Sequence, residues 1–483
     1  MSFDTPFFLT VFMPAALFGA WLAGRACRSR VASNAVILLA SAAFALWSGL
    51  PSLLCVAGSA VANHFGVLAM FRAPTPSARR RWCGAIVAAN LLFLGTVKYA
   101  GLVAGTIGSL SGETATFRLF AALGISFYTF RAISYAVDVF RGAIEPARSL
   151  FDFACALAFF PFFTAGPIAR LGPTLGELRD RGVTLASVSD GLRRFLAGLA
   201  KKALIADSIA VYADAAWGHA ARGLVMPSHL AWLALACYAL QIYYDFSGYT
   251  DMAIGLGRML GFSVPENFDH PYAATSIRDF WRRWHISLST WFRDYLYIPL
   301  GGNRKGLARS CANGVIVFAL CGIWHGANWM FLLWGLWHGL FITIERLVLA
   351  RRPKGARFLP ALPGHIYATV VFLLGWLLFR SASLAECWTM AKSILGLAAP
   401  AATTRMLLVD ASPRVIAAAA AGILFAFPPP AALRAAIARA AGSHPRLSSV
   451  IGAGRDIALT IAGAAALFAV AGSSYHAFLY AKF

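Results

Sequence analysis

The chain has 483 residues, of which 59% are hydrophobic and only 13% are charged, and its mean hydropathy is +0.67. Soluble domains carry about 25% charged residues, so this composition excludes a soluble protein and indicates many membrane spans. The net charge of +22 comes mostly from short loops between apolar stretches. Such loops set membrane topology and contact anionic lipids, so the charge predicts a lipid bilayer, not nucleic acid, as the partner.

The first predicted span covers 6–24. It follows the acidic start MSFD and is too long for the core of a signal peptide, so we expect it to be retained. The basic stretch RACRSR at 25–30 places its end in the cytoplasm and the N-terminus outside. The next apolar block, 34–71, is too long for one crossing and contains Pro51. It predicts a hairpin of two short spans.

Further apolar segments predict spans near 83–107, 118–137, 150–168, 229–262, 312–325, 329–349, 364–380, 413–427 and 456–471. The total is about ten to twelve transmembrane helices. Basic residues between 170 and 202 would fall on conflicting membrane sides, so re-entrant or oblique helices are expected there. The predicted fold is an all-α polytopic membrane protein with re-entrant or interfacial helices, forming one domain over 1–483.

Basic and aromatic residues are interleaved through 278–309, which holds seven Lys or Arg against two Asp. The segment is too charged to cross a membrane, so it predicts short amphipathic helices lying at, or dipping from, the interface. Its arginines suit phosphate groups. His285 lies among them, which suggests that an anionic cytosolic substrate delivers its reactive end toward a membrane histidine.

Metal-binding and nucleotide-binding motifs are absent from the sequence. The eight cysteines include no CxxC pair, and none lies beside a histidine at ligand spacing. Small buried thiols are the expected state of such residues. P-loop, GxSxG and GxGxxG motifs are also missing. The sequence therefore predicts neither a metal site nor a bound cofactor.

The stretch GIWHGANWMFLLWGLWHG at 322–339 has four tryptophans, two histidines and no formal charge. On one continuous helix, His325 and His338 would be about 220° apart and could not share a face. A bend at 326–328 is equally compatible with the sequence. If the helix continued, Asn328 and Trp329 would lie on the face of His325, and Gly322 and Gly326 would leave room for a ligand or another chain.

Six stretches together resemble one known family. They are KYAGL (98–102), GISFYTFRAISYAVDVFRG (124–142), FFPFFTAGPIAR (159–170), YYDFSGYTDMAIGLGRMLGF (243–262), NFDHPYAATSIRDFWRRWHISLSTWFRDYLYIPLGGNRKG (267–306) and GIWHGANWMFLLWGLWHG (322–339). These motifs resemble the membrane-bound O-acyltransferase family, and within it the branch with the alginate O-acetylation membrane subunit and the D-alanine exporter of teichoic acid. The signature motifs cover 98–339, and 1–97 and 364–483 are expected to be peripheral helices.

The resemblance implies functional residues. The family's catalytic histidine, in its WHGxxW motif, matches His325, and a second polar position matches His285 in RRWHISLS. His338 matches the branch pattern without an implied chemical role, and we expect it to be a packing or pathway residue. The candidates for substrate contacts are Asn328 and, for the phosphates of coenzyme A, Arg282, Arg283, Arg293, Arg304 and Lys305.

The resemblance also implies the reaction. An acyl thioester from the cytosol reaches a tunnel, and a hydroxyl from the other side attacks its carbonyl with neutral His325 as general base. His285 or Asn328 would stabilise the oxyanion. Only seven of the 42 basic residues are Lys, a bias typical of GC-rich bacteria. This bias favours acetyl-CoA as the donor over a D-alanyl donor. It also favours alginate or a similar exopolysaccharide, acetylated at the inner membrane, as the acceptor.

In alginate-like systems, the membrane subunit works with an extracytoplasmic SGNH-like acetyltransferase, and the resemblance implies such a partner here. Four alternatives remain open at the level of sequence. They are D-alanyl transfer, peptidoglycan O-acylation, passive transport of a lipid-linked saccharide and an inactive scaffold for a secretion complex.

Overall fold

The computed structural model describes residues 2–111, 123–353, 355–401, 411–443 and 445–472, and within these ranges it contains helices and no β-strand. The α-helices are α1 (Met13–Ala26), α2 (Arg30–Trp47), α3 (Leu50–Arg72), α4 (Pro76–Ser111), α5 (Ile125–Phe140), α6 (Leu150–Ala158), α7 (Leu171–Arg179), α8 (Leu185–Ala200), α9 (Asp207–Ala221), α10 (Ser228–Met259), α11 (Ile277–Arg283), α12 (Ile286–Phe292), α13 (Gly306–His325), α14 (Trp329–Ala350), α15 (Ala361–Arg380), α16 (Leu384–Leu395), α17 (Pro413–Ala426), α18 (Ala431–Ser443) and α19 (Pro445–Gly472). The all-α polytopic fold is confirmed.

Among the described residues, eight helices are long and apolar enough to span a membrane. A ninth is possible if the pair α17 and α18, bent by 75°, is one broken span. This is fewer than the ten to twelve predicted from sequence. The segment near 118–137 contributes only the 16 residues of α5, its first five residues lying outside the described part, and that near 150–168 only the nine of α6. Apolar composition marked these short helices as spans although they are buried by neighbouring protein.

The hairpin predicted in 34–71 is present as α2 and α3. The break falls at Gly49, whose φ of +108° is a conformation that residues with a Cβ rarely adopt. Pro51 lies in the first turn of α3, where its missing N–H costs no helical hydrogen bond. Pro51 therefore starts the second helix instead of interrupting a long one.

The helices α8 and α10 cross at the centre through glycines. A Cβ on Gly198 would lie 2.5 Å from the carbonyl oxygen of Gly248, and one on Gly191 would lie 2.6 Å from that of Gly255. This contact brings basic residues of 193–202 into ion pairs inside the protein. The ammonium of Lys202 lies 2.7 Å from Asp245, and both side chains are about 98% buried. Internal pairing explains why these charges follow no simple topology.

The helices α11 and α12 pack inside the bundle, not flat on its surface. Phe280, Trp281 and Trp284 are all buried, and α11 contacts α14 and α15. The side chain of Glu345 on α14 accepts hydrogen bonds from the backbone N–H groups of Ile277 (2.5 Å) and Arg278 (3.1 Å). These bonds satisfy orphan donors at the start of α11 and tie it to α14. The aromatic content of this segment therefore reflects burial among other helices.

Candidate active site

His325 is the last residue of α13, and the helix does not continue into α14. Gly326 is extended, with φ −173° and ψ 160°, and Asn328 forms the N-cap of α14. Two helices therefore carry the two histidines of the 322–339 stretch. A Cβ on Gly322 would lie 2.2 Å from the carbonyl oxygen of Phe331. The space that this glycine leaves is filled by α14, so the expectation of room for a ligand there is wrong.

Asn328 does not share a helical face with His325, because the chain bends between them. Its side-chain oxygen accepts a hydrogen bond from the N–H of Met330 (2.9 Å), and its amide nitrogen donates to the carbonyl of Ala382 (2.9 Å). Trp329 is 60% exposed and does not shield His325. The predicted helical arrangement of these residues is wrong. The amide of Asn328 caps α14 and holds the chain after α15.

The ring of His325 is enclosed by aromatic side chains and is only 2% exposed. Ring centroids of Trp324 and Trp334 lie 4.9 Å away, and that of Phe379 lies 5.2 Å away. These rings come from α13, α14 and α15, so three helices together form the chamber. An apolar enclosure of this kind excludes water, which strengthens any electrostatic interaction with a reacting group.

His285 lies in the same region and is fully buried. Its Nδ1 lies 3.2 Å from the side-chain oxygen of Asn267, which also accepts hydrogen bonds from the N–H and hydroxyl of Ser287. Because that oxygen acts as an acceptor, Nδ1–H is the donor and Nε2 carries the basic lone pair. Burial lowers the pKa of His285 to about 3, so the ring is neutral at physiological pH.

Trp324 connects the two histidines. Its ring centroid lies 4.9 Å from that of His325 and 6.2 Å from that of His285. The indole N–H of Trp324 is buried and has no hydrogen-bond partner among the described residues. The structure thus brings the two predicted catalytic residues together around one indole. Neither Trp324 nor Asn267 was singled out from sequence, although both lie within the family motifs.

His338 lies one layer away from this chamber. Trp334 separates the two rings, with centroids 5.2 Å from His338 and 4.9 Å from His325. Both ring nitrogens of His338 are buried without a hydrogen-bond partner in the described part of the chain, and Trp281 packs edge-on at 5.2 Å. The expected role of His338 in packing or in the substrate pathway stays a prediction.

A cavity of about 790 Å³ opens beside α11 and α12. Five arginines line it: Arg278, Arg282, Arg293, Arg346 and Arg357. Ser289, Thr290 and Tyr297 add hydroxyl groups to the same wall. At the inner end the cavity reaches Cys321, one helical turn before His325. The arrangement is a cationic cavity, and Trp281 in its lining contacts Trp334 of the histidine chamber, with ring centroids 5.7 Å apart.

Two of the predicted phosphate ligands, Arg282 and Arg293, line this cavity, and three do not. The guanidinium of Arg283 bonds to Asp279 and to the carbonyl of Asp269. Arg304 and Lys305 are exposed in the turn before α13. The sequence analysis missed three cavity arginines, Arg278, Arg346 and Arg357. The last two come from the end of α14 and the following loop and join the site only in the folded chain.

Part of the cavity lies far from His325 along α14. Ile342 and Arg346 line the cavity, whereas the helix begins at Trp329, about 20 Å away from Ile342 at 1.5 Å per residue. The loop after α14 reads RRPKGAR (351–357), while 326–328 and 381–383 carry no charge. By the positive-inside rule, we expect the end of α14 that carries Arg346 to face the cytoplasm and the histidine chamber to lie nearer the other side.

Within the described residues, no group of three or more His, Cys, Asp or Glu side chains could hold a metal ion. The eight cysteines are free thiols, and five of them are buried.

Comparison with known proteins decides the family. The profile of the membrane-bound O-acyltransferase family matches residues 147–383. The chain is 39% identical to the probable alginate O-acetylase AlgI of Pseudomonas aeruginosa over 403 residues, 81% of this chain and 74% of that protein. The chain belongs to the membrane-bound O-acyltransferase family. It is a multi-pass membrane acyltransferase.

Further relatives of this O-acyltransferase include a second alginate O-acetylase and a peptidoglycan O-acetyltransferase. It is 39% identical to the probable alginate O-acetylase AlgI of Azotobacter vinelandii, over 81% of this chain and 77% of that protein. The peptidoglycan O-acetyltransferase of Helicobacter pylori is 31% identical over 82% of this chain and 80% of its own length. Both His285 and His325, and every arginine of the cavity, lie inside the matched family region.

Proposed function

We propose that this O-acyltransferase moves an acetyl group from cytosolic acetyl-CoA to an acceptor on the other side of the membrane, for O-acetylation of alginate or a similar exopolysaccharide. The observation that carries the proposal is the arginine-lined cavity, which reaches within one helical turn of His325. Sequence identity of about 40% to probable alginate O-acetylases favours acetyl as the transferred group and alginate as the acceptor polymer.

The donor would bind with its phosphates among the cavity arginines. Guanidinium groups bind phosphate bidentately, and several of them together suit the three phosphates of coenzyme A. Of the phosphate ligands predicted from sequence, we keep Arg282 and Arg293, because they line the cavity. We add Arg278, Arg346 and Arg357, which line it as well. The arm carrying the thioester would then extend past Trp281 and Cys321 toward the histidine chamber.

His325 would act as the general base. Its neutral imidazole takes the proton from the acceptor hydroxyl as the hydroxyl oxygen attacks the thioester carbonyl. The tetrahedral intermediate collapses with cleavage of the carbon–sulfur bond, and the imidazolium returns the proton to the departing thiolate. A base in this position typically contributes about 10²–10⁴-fold to the rate.

His285 and Trp324 would play complementary parts. With Nδ1–H bonded to Asn267, neutral His285 offers an acceptor at Nε2 and no second donor, so it suits orienting a hydroxyl better than binding an oxyanion. The unpartnered indole N–H of Trp324 is the better oxyanion donor. This replaces the sequence-based expectation that His285 or Asn328 would stabilise the oxyanion.

The acceptor side involves a second protein. We propose that an extracytoplasmic SGNH-like acetyltransferase receives the acetyl group or presents the polymer, and that the pair works at the bacterial inner membrane. Peptidoglycan is the second candidate acceptor, favoured by the 31% identity to the Helicobacter pylori enzyme.

The test is the acetate content of secreted polysaccharide and of peptidoglycan in a deletion strain. The strain is complemented with wild type, His325→Ala or His338→Ala at matched membrane levels. Acetate on the exopolysaccharide should vanish on deletion and return with wild type and His338→Ala, but not with His325→Ala. Loss of peptidoglycan acetate instead would name the second acceptor. Full restoration by His325→Ala would refute the proposed base.

A further inference from the structure

The KYAGL motif on α4 has no part in the mechanism described so far, yet it touches the catalytic helix. Lys98 Nζ donates hydrogen bonds to the backbone carbonyls of Trp324 and, at 3.4 Å, His325. The hydroxyl of Tyr99 donates to the carbonyl of Ile323 at 2.7 Å. Two neighbouring residues of α4 thus bond the last three carbonyls of α13.

These carbonyls are the groups that most need a partner. The last four C=O groups of an α-helix receive no hydrogen bond from a backbone N–H of the same helix, and a cation near them also interacts favourably with the helix dipole. Here the chain leaves the helix in an extended conformation directly at Gly326, so the final turn has no continuing helix to support it. The ammonium of Lys98 takes over that support, and it also lies 5.6 Å from the Trp324 ring centroid.

The location of the lysine argues against an incidental role. Lys98 belongs to the candidate span Pro76–Gly101. Ionisable side chains within spans are costly and rare, and they mark functional positions more often than structural ones. A polar but uncharged side chain, as at Tyr99, would bond a carbonyl at lower cost. The use of a lysine at the turn that ends in His325 therefore calls for a functional reason.

We propose that Lys98 is a positioning residue for the acyl transfer: by bonding the carbonyls of Trp324 and His325 it fixes the final turn of α13, and with it the His325 ring and the Trp324 indole. The inference rests on the proposed role of His325 as general base. A misplacement of about 1 Å at a reacting group can cost about 10²-fold in rate. Arg346 of the cavity lies near the end of α14 that is far from His325, and Arg357 lies beyond that end, so we expect binding of the donor's phosphates not to depend on Lys98.

The experiment compares Lys98→Met, Lys98→Arg, Tyr99→Phe and His325→Ala in the full chain. Inner-membrane vesicles with matched protein levels receive radiolabelled acetyl-CoA, and label in ethanol-precipitated polymer gives apparent kcat and KM for the donor. Lys98→Met nearly keeps the length of the side chain and removes both hydrogen bonds and the charge. Tyr99→Phe removes one bond from the same helix end without touching Trp324 or His325, so it reports a purely structural contribution.

We expect Lys98→Met to lower kcat by about 10- to 100-fold with KM for acetyl-CoA within about twofold of wild type. Lys98→Arg should recover at least a third of the rate, and Tyr99→Phe should stay within about threefold of wild type. If Lys98→Met does not accumulate, Lys98→Gln against Lys98→Arg makes the same comparison.

Three results would overturn the proposal. An unchanged kcat in Lys98→Met, with His325→Ala inactive, removes the positioning role and leaves the proposed function standing. Equal losses in Lys98→Met and Tyr99→Phe make the contact structural only. Activity in His325→Ala removes the proposed base, and the role of Lys98 falls with it.

Discussion

The side chain of Glu345 should control how tightly the acyl donor binds, although it does not line the cavity. It is fully buried and accepts hydrogen bonds from the N–H groups of Ile277 and Arg278 at the start of α11, the helix that carries Arg282. In Glu345→Gln one carboxyl oxygen becomes an NH₂ group that faces a backbone N–H. Hydrogen bonds to charged groups contribute about 1.5–3 kcal/mol each, so α11 loses roughly that amount of anchoring.

The measurable consequence is a higher KM for acetyl-CoA, because a loosely held α11 binds the donor less tightly. If the bound donor must restore the anchored position, a cost of about 2 kcal/mol raises KM for acetyl-CoA by up to about 30-fold. The assay is thiol release from acetyl-CoA by the full chain in vesicles. Glu386→Gln is the matched control. Glu386 also accepts a hydrogen bond from a backbone N–H, that of Ala382 at 2.7 Å, but this bond lies after the C-terminal end of α15, away from α11.

The outcome separates two readings of α11. A raised KM in Glu345→Gln with an unchanged KM in Glu386→Gln is expected. An unchanged KM in Glu345→Gln, or the same rise in both variants, would refute the reasoning that α11 must be held in place for the cavity arginines to bind the donor.

Three further predictions concern packing, charge and orientation. Gly198→Ala should lower the melting temperature by several degrees, since its Cβ would lie 2.5 Å from a carbonyl oxygen and overpacking costs about 1–3 kcal/mol. Gly218→Ala is the control, because a Cβ there would meet nothing within 4 Å. Equal melting temperatures of the two variants would contradict the close crossing of α8 and α10. Arg282→Gln should raise KM for acetyl-CoA about tenfold and leave KM for acetyl-pantetheine, which lacks the phosphates, unchanged. Arg304→Gln, at an exposed position, should change neither KM. A raised KM for both donors in Arg282→Gln would argue against phosphate binding. Asn267→Leu should reduce kcat at least tenfold by releasing the His285 ring, and a wild-type rate would exclude the proposed orientation.

Much of the architecture follows from apolar length alone. The hairpin at α2 and α3 and the spans at α13, α14 and α15 agree with sequence because a membrane imposes one dominant constraint on composition and length. Among the described residues the candidate spans number eight, or nine with the bent pair, and the apolar helices α5 and α6 are not among them. They are buried by other helices, and composition does not distinguish lipid from protein as the apolar neighbour.

The site shows where local patterns stop being informative. His325 and His285 were selected from their motifs, and the structure brings both against Trp324. The helical-face argument for Asn328 failed because one extended residue, Gly326, breaks the periodicity on which it depended. Arg346 joins the cavity through tertiary packing between segments far apart in sequence. A single sequence gives the residue type of such a group but not its neighbours.

The most direct test of the central claim is the rate of thiol release from acetyl-CoA by the full chain with His325→Ala, set against wild type and His338→Ala. Both histidines are buried against Trp334, so the pair separates chemistry from packing. The account predicts a loss of at least about 10²-fold in His325→Ala and a rate near wild type in His338→Ala. A near wild-type rate in His325→Ala would contradict it.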